Sequence, residues 1–330
     1  MKKVKYAVVG AGHLGYIHLL NLKDIPSVEI TGFYEIDKDR KKFVEEKTGI
    51  KGYDSFEELL DHCDAISIVV PTKSHYSVAK SAIKHGIHIF CEKPFMASIE
   101  EAEEIIKLAK EKSVIIQIGH IERFNPALKF LQNEIKNPLF IECHRISPFN
   151  PRGTDVAVIL DLMIHDIDIV LNIVDSDLID IKASGAPILT NNIDIANARL
   201  EFKNGCIANI TASRVSNKRL RKLRIFQINQ YISINFLQRE AELYWISKSI
   251  NQDDDIKTLA QIESDGIQKI LNYKKFSFPE YNPLKEELLS FINSIVNGET
   301  PPVTAEEGRN ALEIAIIIEE QIKRKLERIL

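Results

Sequence analysis

Lys5-Tyr6-Ala7-Val8-Val9-Gly10-Ala11-Gly12-His13-Leu14-Gly15 takes a short, largely apolar run straight into three glycines, and a helical pattern through Leu19, Leu20 and Leu22 follows. This is strand, tight turn, helix. Gly10 suits the turn, Gly12 suits close approach of the backbone to a pyrophosphate, and Gly15 suits tight packing of helix on strand. The unpaired N–H groups that open such a helix, with His13 and Leu14 in its first turn, can then face phosphate oxygens. Val28–Tyr34 reads as a second strand that ends at Glu35. An acid about 20 residues past the glycines accepts hydrogen bonds from a ribose 2′-hydroxyl and repels a 2′-phosphate. NAD is therefore the expected cofactor; Lys38 and Arg40 nearby keep NADP as an alternative, and a mononucleotide or flavin could use the same turn.

The pattern then alternates, with helix 39–48, a short helix near 55–62, strand Ala65–Val70, helix 75–85, strand 87–91, helix 98–112 and strand Val114–Ile118. Such alternation predicts a doubly wound α/β domain with a parallel sheet. Pro71, Thr72 and His75 fall where Ala65–Val70 meets its helix and are candidate cofactor contacts, although Thr72 or Ser74 could equally be a helix N-cap. In Ile87-His88-Ile89-Phe90-Cys91-Glu92-Lys93-Pro94 a strand ends on a charged pair stopped by proline. Lys93 is thus delivered to the strand's carboxyl end, where ligands of open parallel sheets bind. The plain alternative is a solvated surface pair with Glu92.

After Gly119-His120 the alternation breaks, and Asn125 caps a helix opened by Pro126. The expected domains are 1–120, which binds the dinucleotide, and 121–330, which binds substrate and mediates self-association. Leu139–Ile146 reads as a strand and 154–174 as a helix that is apolar nearly all round. Its polar residues Thr154, Asp161, His165, Asp168 and Asn172 recur on one face. An otherwise buried helix must satisfy such a stripe or turn it to a cleft; the alternatives are a stripe facing bulk water, or a zinc site at Asp161 and His165 without further ligands. Ile179–Ala183, Ile195–Phe202, Cys206–Val215, Lys222–Asn229, Tyr231–Leu237 and Ala241–Ile246 read as strands, with a hairpin turn at Asn204-Gly205. They predict an α+β domain with a large, mainly antiparallel open sheet, and hence a homodimer that covers its exposed face. Residues 247–282 read as polar and irregular. Two helices follow, Pro283–Asn297 and Thr304–Arg328, the second with a capping box at Thr304-Ala305-Glu306-Glu307.

A chain of 330 residues, 45% apolar and 27% charged, fits a globular protein of two domains. A net charge of −4 gives no footprint for nucleic acid or an anionic membrane. The amino-terminal residues lack the pattern of a signal peptide, and no apolar run reaches membrane-spanning length. Cys63, Cys91, Cys143 and Cys206 are scattered without metal or disulfide spacing, so no metal is expected and a reducing cytoplasm fits.

Taken together, Gly10-Ala11-Gly12-His13-Leu14-Gly15, Glu92-Lys93-Pro94, Asp161-x-x-x-His165 and the closing segments Asn282–Glu287 and Val303–Gly308 resemble the glucose-fructose oxidoreductase / inositol dehydrogenase (Gfo/Idh/MocA) family over nearly the whole chain. The resemblance implies a Rossmann domain followed by a substrate domain whose open sheet makes oligomer contacts. It also implies that Lys93, Asp161 and His165 are catalytic, contacting the reacting sugar hydroxyl, and that Glu92 and Lys93 border the nicotinamide ribose. The expected activity is hydride transfer between NAD and a secondary hydroxyl of a sugar, nucleotide sugar or cyclitol. A glycosidase that oxidises its sugar transiently and a non-catalytic nucleotide sensor are the competing readings. Gly119-His120-Ile121-Glu122-Arg123-Phe124-Asn125-Pro126 is similar to members that oxidise UDP-N-acetylglucosamine at its 3-position, which makes Arg123 and Asn125 candidate substrate contacts. Arg145, Arg152 and Arg214 join Arg123 as candidates for a diphosphate, because guanidinium groups suit bidentate contacts; the plain alternative for each is an ordinary surface arginine.

Overall fold

Residues 3–150, 156–249, 253, 255–264 and 267–328 are described by the structure, a computed structural model. Among them β1 (Val4–Val9), β2 (Val28–Tyr34), the two-residue β3 (Gly52–Tyr53), β4 (Ala65–Ile68), β5 (His88–Glu92) and β6 (Ile116–Gly119) form one sheet. Its order is β3-β2-β1-β4-β5-β6, and every neighbouring pair is parallel. This is the predicted doubly wound sheet. Helices cover both faces of such sheets, which is why β4 is buried at every residue and carries no polar–apolar alternation. The connecting helices are α1 (His13–Lys23), α2 (Lys38–Thr48), α3 (Phe56–Leu60), α4 (His75–Lys84) and α5 (Ile99–Lys112). Asp37 caps α2 by accepting the Arg40 N–H, and Ser98 caps α5 by accepting that of Glu101. Strand order reverses between β1 and β4, so the carboxyl ends of β1, β2, β4 and β5 share one edge on the two sides of a switch point.

The chain separates into two compact units, and the division differs from the expected one. The first unit runs to Phe124 and also takes Asn282–Glu313, which the sequence reading gave to the second domain. The cause is α8 (Pro283–Asn297). Leu284, Leu288, Phe291 and Ile292 form one buried stripe on it, and the Phe291 ring packs edge-on at 6.1 Å from Tyr6 and 6.0 Å from Phe90. Gln117 of β6 donates to the Glu287 carbonyl (2.9 Å) and pairs as an isolated bridge with Thr304. Local sequence pattern carries no trace of contacts this distant.

The second unit comprises Asn125–Tyr281 and the chain from Ile314 on. It begins with α6 (Pro126–Leu131), capped by Asn125 as predicted. Its sheet contains β7 (Phe140–Pro148), β8 (Leu178–Ala186), β9 (Ile195–Phe202), β10 (Ile207–Ser216), β11 (Leu220–Gln227), β12 (Gln230–Asn235), β13 (Glu240–Ser247), β14 (Lys257–Ser264) and β15 (Ile267–Ser277). The order is β14-β15-β13-β12-β11-β7-β10-β9-β8, antiparallel except where β10 runs parallel to β7. The hairpin β14–β15 replaces most of the irregular region expected at 247–282. On β14 apolar residues are sparse, and Leu259 and Ile262 are exposed. The predicted helix 154–174 is shorter: a π-helical turn at Ile159–Met163 leads into α7 (Ile164–Ile173), and Thr154 lies outside the described residues. The last helix, α9 (Ala305–Leu326), opens on the predicted capping box. The Thr304 N–H donates to Glu307 Oε2 (2.8 Å) and the Glu307 N–H to Thr304 Oγ1 (3.2 Å). Near its end Gln321 and Lys325 tie it to the backbone of β8 at Ile181 and Ala183.

Candidate active site

The three glycines between β1 and α1 act differently. Gly10 has φ +88°, and a Cβ there would stand 2.5 Å from the Val69 carbonyl oxygen. At Gly15 a Cβ would meet the Gly10 oxygen at 1.9 Å, so helix and strand could not approach as they do. At Gly12 a Cβ would find no protein atom within 4 Å. The missing side chain at Gly12 thus keeps the amino-terminal end of α1 accessible at the backbone, and a pyrophosphate fits a helix end of this kind. Gly12, His13 and Leu14 are all exposed there.

Glu35 leaves the end of β2 and turns back to this loop. Its Oε2 accepts the Ala11 N–H (2.8 Å) and its Oε1 accepts the Asp37 N–H (3.1 Å). The carboxylate therefore stands beside the glycine turn. Arg40 is placed by several contacts: it donates to the carbonyls of Ala11 (2.8 Å) and Gly12 (2.9 Å), and its guanidinium lies 4.9 Å from the Phe43 ring centroid. Arg40 fastens the turn.

Pro71 is exposed, and Thr72 opens a short 3-10 turn, Thr72–Ser74, in which Ser74 makes no side-chain cap to α4. His75 requires a correction. It is buried, with Nε2 2.9 Å from the Val70 carbonyl and Nδ1 3.0 Å from that of Pro94. It ties the loop after β4 to the loop after β5 and does not present its ring to a ligand. Lys93 is half-buried where β5 exits, and its peptide bond to Pro94 is cis. Beside it, Glu92 is held through Oε1 by His18 of α1 (3.0 Å), a residue that sequence reasoning passed over.

In the second unit Asp161 lies in the π-helical turn and His165 in the first turn of α7, both half-buried. Single π turns inside helices occur often at functional sites. Asp168, further along the expected stripe, is buried, whereas Asn172 is exposed. Along the stripe Asp161 and His165 are thus half-buried, Asp168 buried and Asn172 exposed. The residue that anchors α7 is one the stripe omitted: Asp166 receives both Nε (2.9 Å) and Nη2 (2.7 Å) of Arg145 from β7, and both side chains are buried.

This changes the reading of the arginines. Arg145 is engaged with Asp166, and Arg214 binds Asp194 (2.7 Å) and the Val156 carbonyl (2.8 Å). Arg123 donates to Glu307 at 2.6 Å within the first unit. Burial opposes ionisation of Glu307, but Arg123 and the Thr304 N–H outweigh it and hold the carboxyl below its ordinary range. Arg152 lies outside the described residues. The Asn125 side chain is likewise committed, accepting the Ala127 N–H (3.2 Å) and donating to the Phe236 carbonyl (3.2 Å). Arg123, Arg145, Arg214 and Asn125 thus each have protein partners, as burial of a polar group requires.

Comparison with known proteins is consistent with the fold. The profile described as "Oxidoreductase family, NAD-binding Rossmann fold" matches residues 4–120, and the GFO/IDH/MocA C-terminal domain profile matches 136–228. The UDP-N-acetylglucosamine 3-dehydrogenase of Acidithiobacillus ferrooxidans is 36% identical over 74% of this chain and 78% of its own. The myo-inositol 2-dehydrogenase of Thermotoga maritima is 25% identical over 98% of this chain and 97% of its own. A solved structure of the Acidithiobacillus ferrooxidans enzyme superposes with a TM-score of 0.88 at 30% identity, covering 98% of this chain and 99% of that one.

Proposed function

Because the chain belongs to the Gfo/Idh/MocA family of NAD-binding oxidoreductases, we propose that it is a nucleotide-sugar dehydrogenase acting on a secondary hydroxyl, with UDP-N-acetylglucosamine or its uronate as the first candidate substrate. The observation that carries this choice is the likeness to a UDP-N-acetylglucosamine 3-dehydrogenase, which is closer in sequence than the likeness to an inositol dehydrogenase. The arginines do not support it, since three of them are already paired with carboxylates. NAD, when bound, supplies the hydride acceptor. Gly10, Gly12, His13, Leu14 and Gly15 would hold its pyrophosphate, Glu35 its adenosine ribose, and Pro71, Thr72, Glu92 and Lys93 the opposite half.

His165 would take the proton of the substrate hydroxyl, a role that suits imidazole because its ordinary pKa lies near neutral. Asp161, one turn away, would orient the imidazole or the sugar. Lys93 would donate a hydrogen bond to a substrate oxygen and stabilise developing negative charge there. Under this assignment the first unit binds NAD and the second binds substrate. The free thiols of Cys63, Cys91, Cys143 and Cys206 support a reducing compartment, the cytoplasm. A row of half-buried aromatic rings on the second sheet supports a homodimer or homotetramer joined through that face.

Calorimetry on the NAD-loaded protein tests the substrate. UDP-N-acetylglucosamine should bind, UDP should compete with it, and glucose or myo-inositol should bind poorly. Tight binding of a free polyol with no response to UDP-sugars would remove the nucleotide sugar and leave a polyol dehydrogenase.

A further inference from the structure

His18 is fully buried in α1, one turn beyond Gly15, and both of its ring nitrogens are engaged. Nε2 lies 3.0 Å from Glu92 Oε1, and Nδ1 lies 3.2 Å from Ser67 Oγ, which is itself 2.9 Å from the Tyr6 hydroxyl. An ionised carboxylate only accepts, so His18 Nε2 donates to Glu92, while Nδ1 faces the Ser67 hydroxyl, which in turn lies against the Tyr6 hydroxyl. Burial pushes the Tyr6 hydroxyl far above its ordinary range, so it keeps its proton. The Phe90 ring, edge-on at 5.5 Å, further restricts the imidazole.

The carboxylate at the end of this series of contacts is confined on another side as well. A Cβ at Gly119 would stand 3.0 Å from Glu92 Oε2, so the absence of a side chain at the end of β6 makes room for that oxygen. Glu92 closes β5, across the switch point from Glu35 at the end of β2. If the pyrophosphate lies at the amino-terminal end of α1 and Glu35 takes the adenosine ribose, the remaining half of the dinucleotide runs past β4 towards β5.

We propose that His18, with Ser67 behind it and Gly119 opposite, is a positioning residue that fixes the Glu92 carboxylate as an acceptor for the nicotinamide half of the cofactor. The proposal rests on the assignment of Glu92 and Lys93 to that half. Its consequence is selective: loss of His18 should weaken contacts of the nicotinamide half and leave the adenine half alone. Hydrogen bonds to charged groups correspond to about 10- to 100-fold in affinity.

The experiment compares NAD with ADP, which lacks the nicotinamide riboside, by calorimetry on the purified protein. His18→Leu and Gly119→Ala should each weaken NAD by about 10-fold or more and leave ADP unchanged. His18→Gln, whose amide can still donate to Glu92, should recover part of the loss, and it serves as the test should His18→Leu fail to fold. Equal loss of NAD and ADP affinity would reduce His18 to a packing residue and overturn the proposal. So would unaltered NAD binding in His18→Leu and Gly119→Ala alongside weakened binding in Glu92→Ala. Unaltered NAD binding in Glu92→Ala would instead show that Glu92 does not face the cofactor, and the underlying assignment would fail with it.

Discussion

The Glu35 oxygen that accepts the Ala11 N–H fixes where its carboxylate stands, and under the proposed cofactor assignment that carboxylate takes the ribose. Glu35→Ala should narrow the preference for NAD over NADP by relieving repulsion of a 2′-phosphate, and dissociation constants for both nucleotides check it. Tighter binding of NADP by the unmodified protein would remove Glu35 from ribose recognition. Arg40 uses Nε and one Nη2 donor on the loop carbonyls of Ala11 and Gly12, so the comparison of the two nucleotides also reads what its guanidinium contributes. For the chemistry, His165→Ala should lower turnover by about 10²- to 10⁴-fold, the usual contribution of a general base, with NAD affinity unchanged. Lys93→Ala should lose turnover as well. Normal rates in both variants on a confirmed substrate would exclude them. At this scale the sequence shows residues tied to short motifs, such as the glycines, Glu35 and Lys93. It hides those defined by remote partners. His18 and Asp166 carry no motif of their own, and the carbonyl partners of the buried His75 ring cannot be read from sequence.

Helix α7 depends on one buried ion pair. Removing one partner of such a pair leaves an uncompensated buried charge and typically costs about 3–5 kcal/mol, whereas replacing both with apolar groups costs far less. Asp166→Ala should therefore destabilise the protein by about 3 kcal/mol or more in denaturant unfolding, and Arg145→Met combined with Asp166→Leu should recover most of the loss. If the double variant is no more stable than the single one, packing matters here more than charge. The turn before β9 behaves similarly. Burial opposes ionisation of Asp194, but the N–H groups of Ile188, Leu189 and Thr190 and the Arg214 guanidinium hold its carboxyl well below the ordinary value of 3.8. A carboxyl with a lowered folded-state pKa stabilises fully above its unfolded value, and the contribution is lost as pH falls below it. Thermal midpoints should thus drop below about pH 4, and Asp194→Asn should be less stable at neutral pH with a flatter acid limb. Helices and strands with strong periodicity were legible from sequence; β14, at the edge of its sheet with Leu259 and Ile262 exposed, was not.

For the chain as a whole, the sequence disclosed two domains but not that α8 returns to the first, since Tyr6 and Phe90 meet Phe291 across most of its length. It also disclosed a large open sheet without showing what one face carries. Phe140, Phe226, Tyr231, Tyr244 and Tyr273 are successive cross-strand partners on β7, β11, β12, β13 and β15. Their ring centroids are separated by 5.8, 4.7, 5.1 and 4.9 Å. Ile141, Ile225 and Ile232, which alternate with them and point to the other face, are fully buried in the core. Cross-strand aromatic pairs stabilise a sheet, yet an unbroken row left half in water is also the kind of surface that a second copy covers. Light scattering on the unmodified protein should accordingly give a multiple of 37.6 kDa. Tyr244→Lys places a charge within the row without entering the core. It should weaken self-association by about 2 kcal/mol or more, the range of central aromatic residues in interfaces, and shift the mass towards the monomer, with circular dichroism unchanged. A monomeric unmodified protein would sink this expectation, and an oligomer indifferent to Tyr244→Lys would move the interface to another surface.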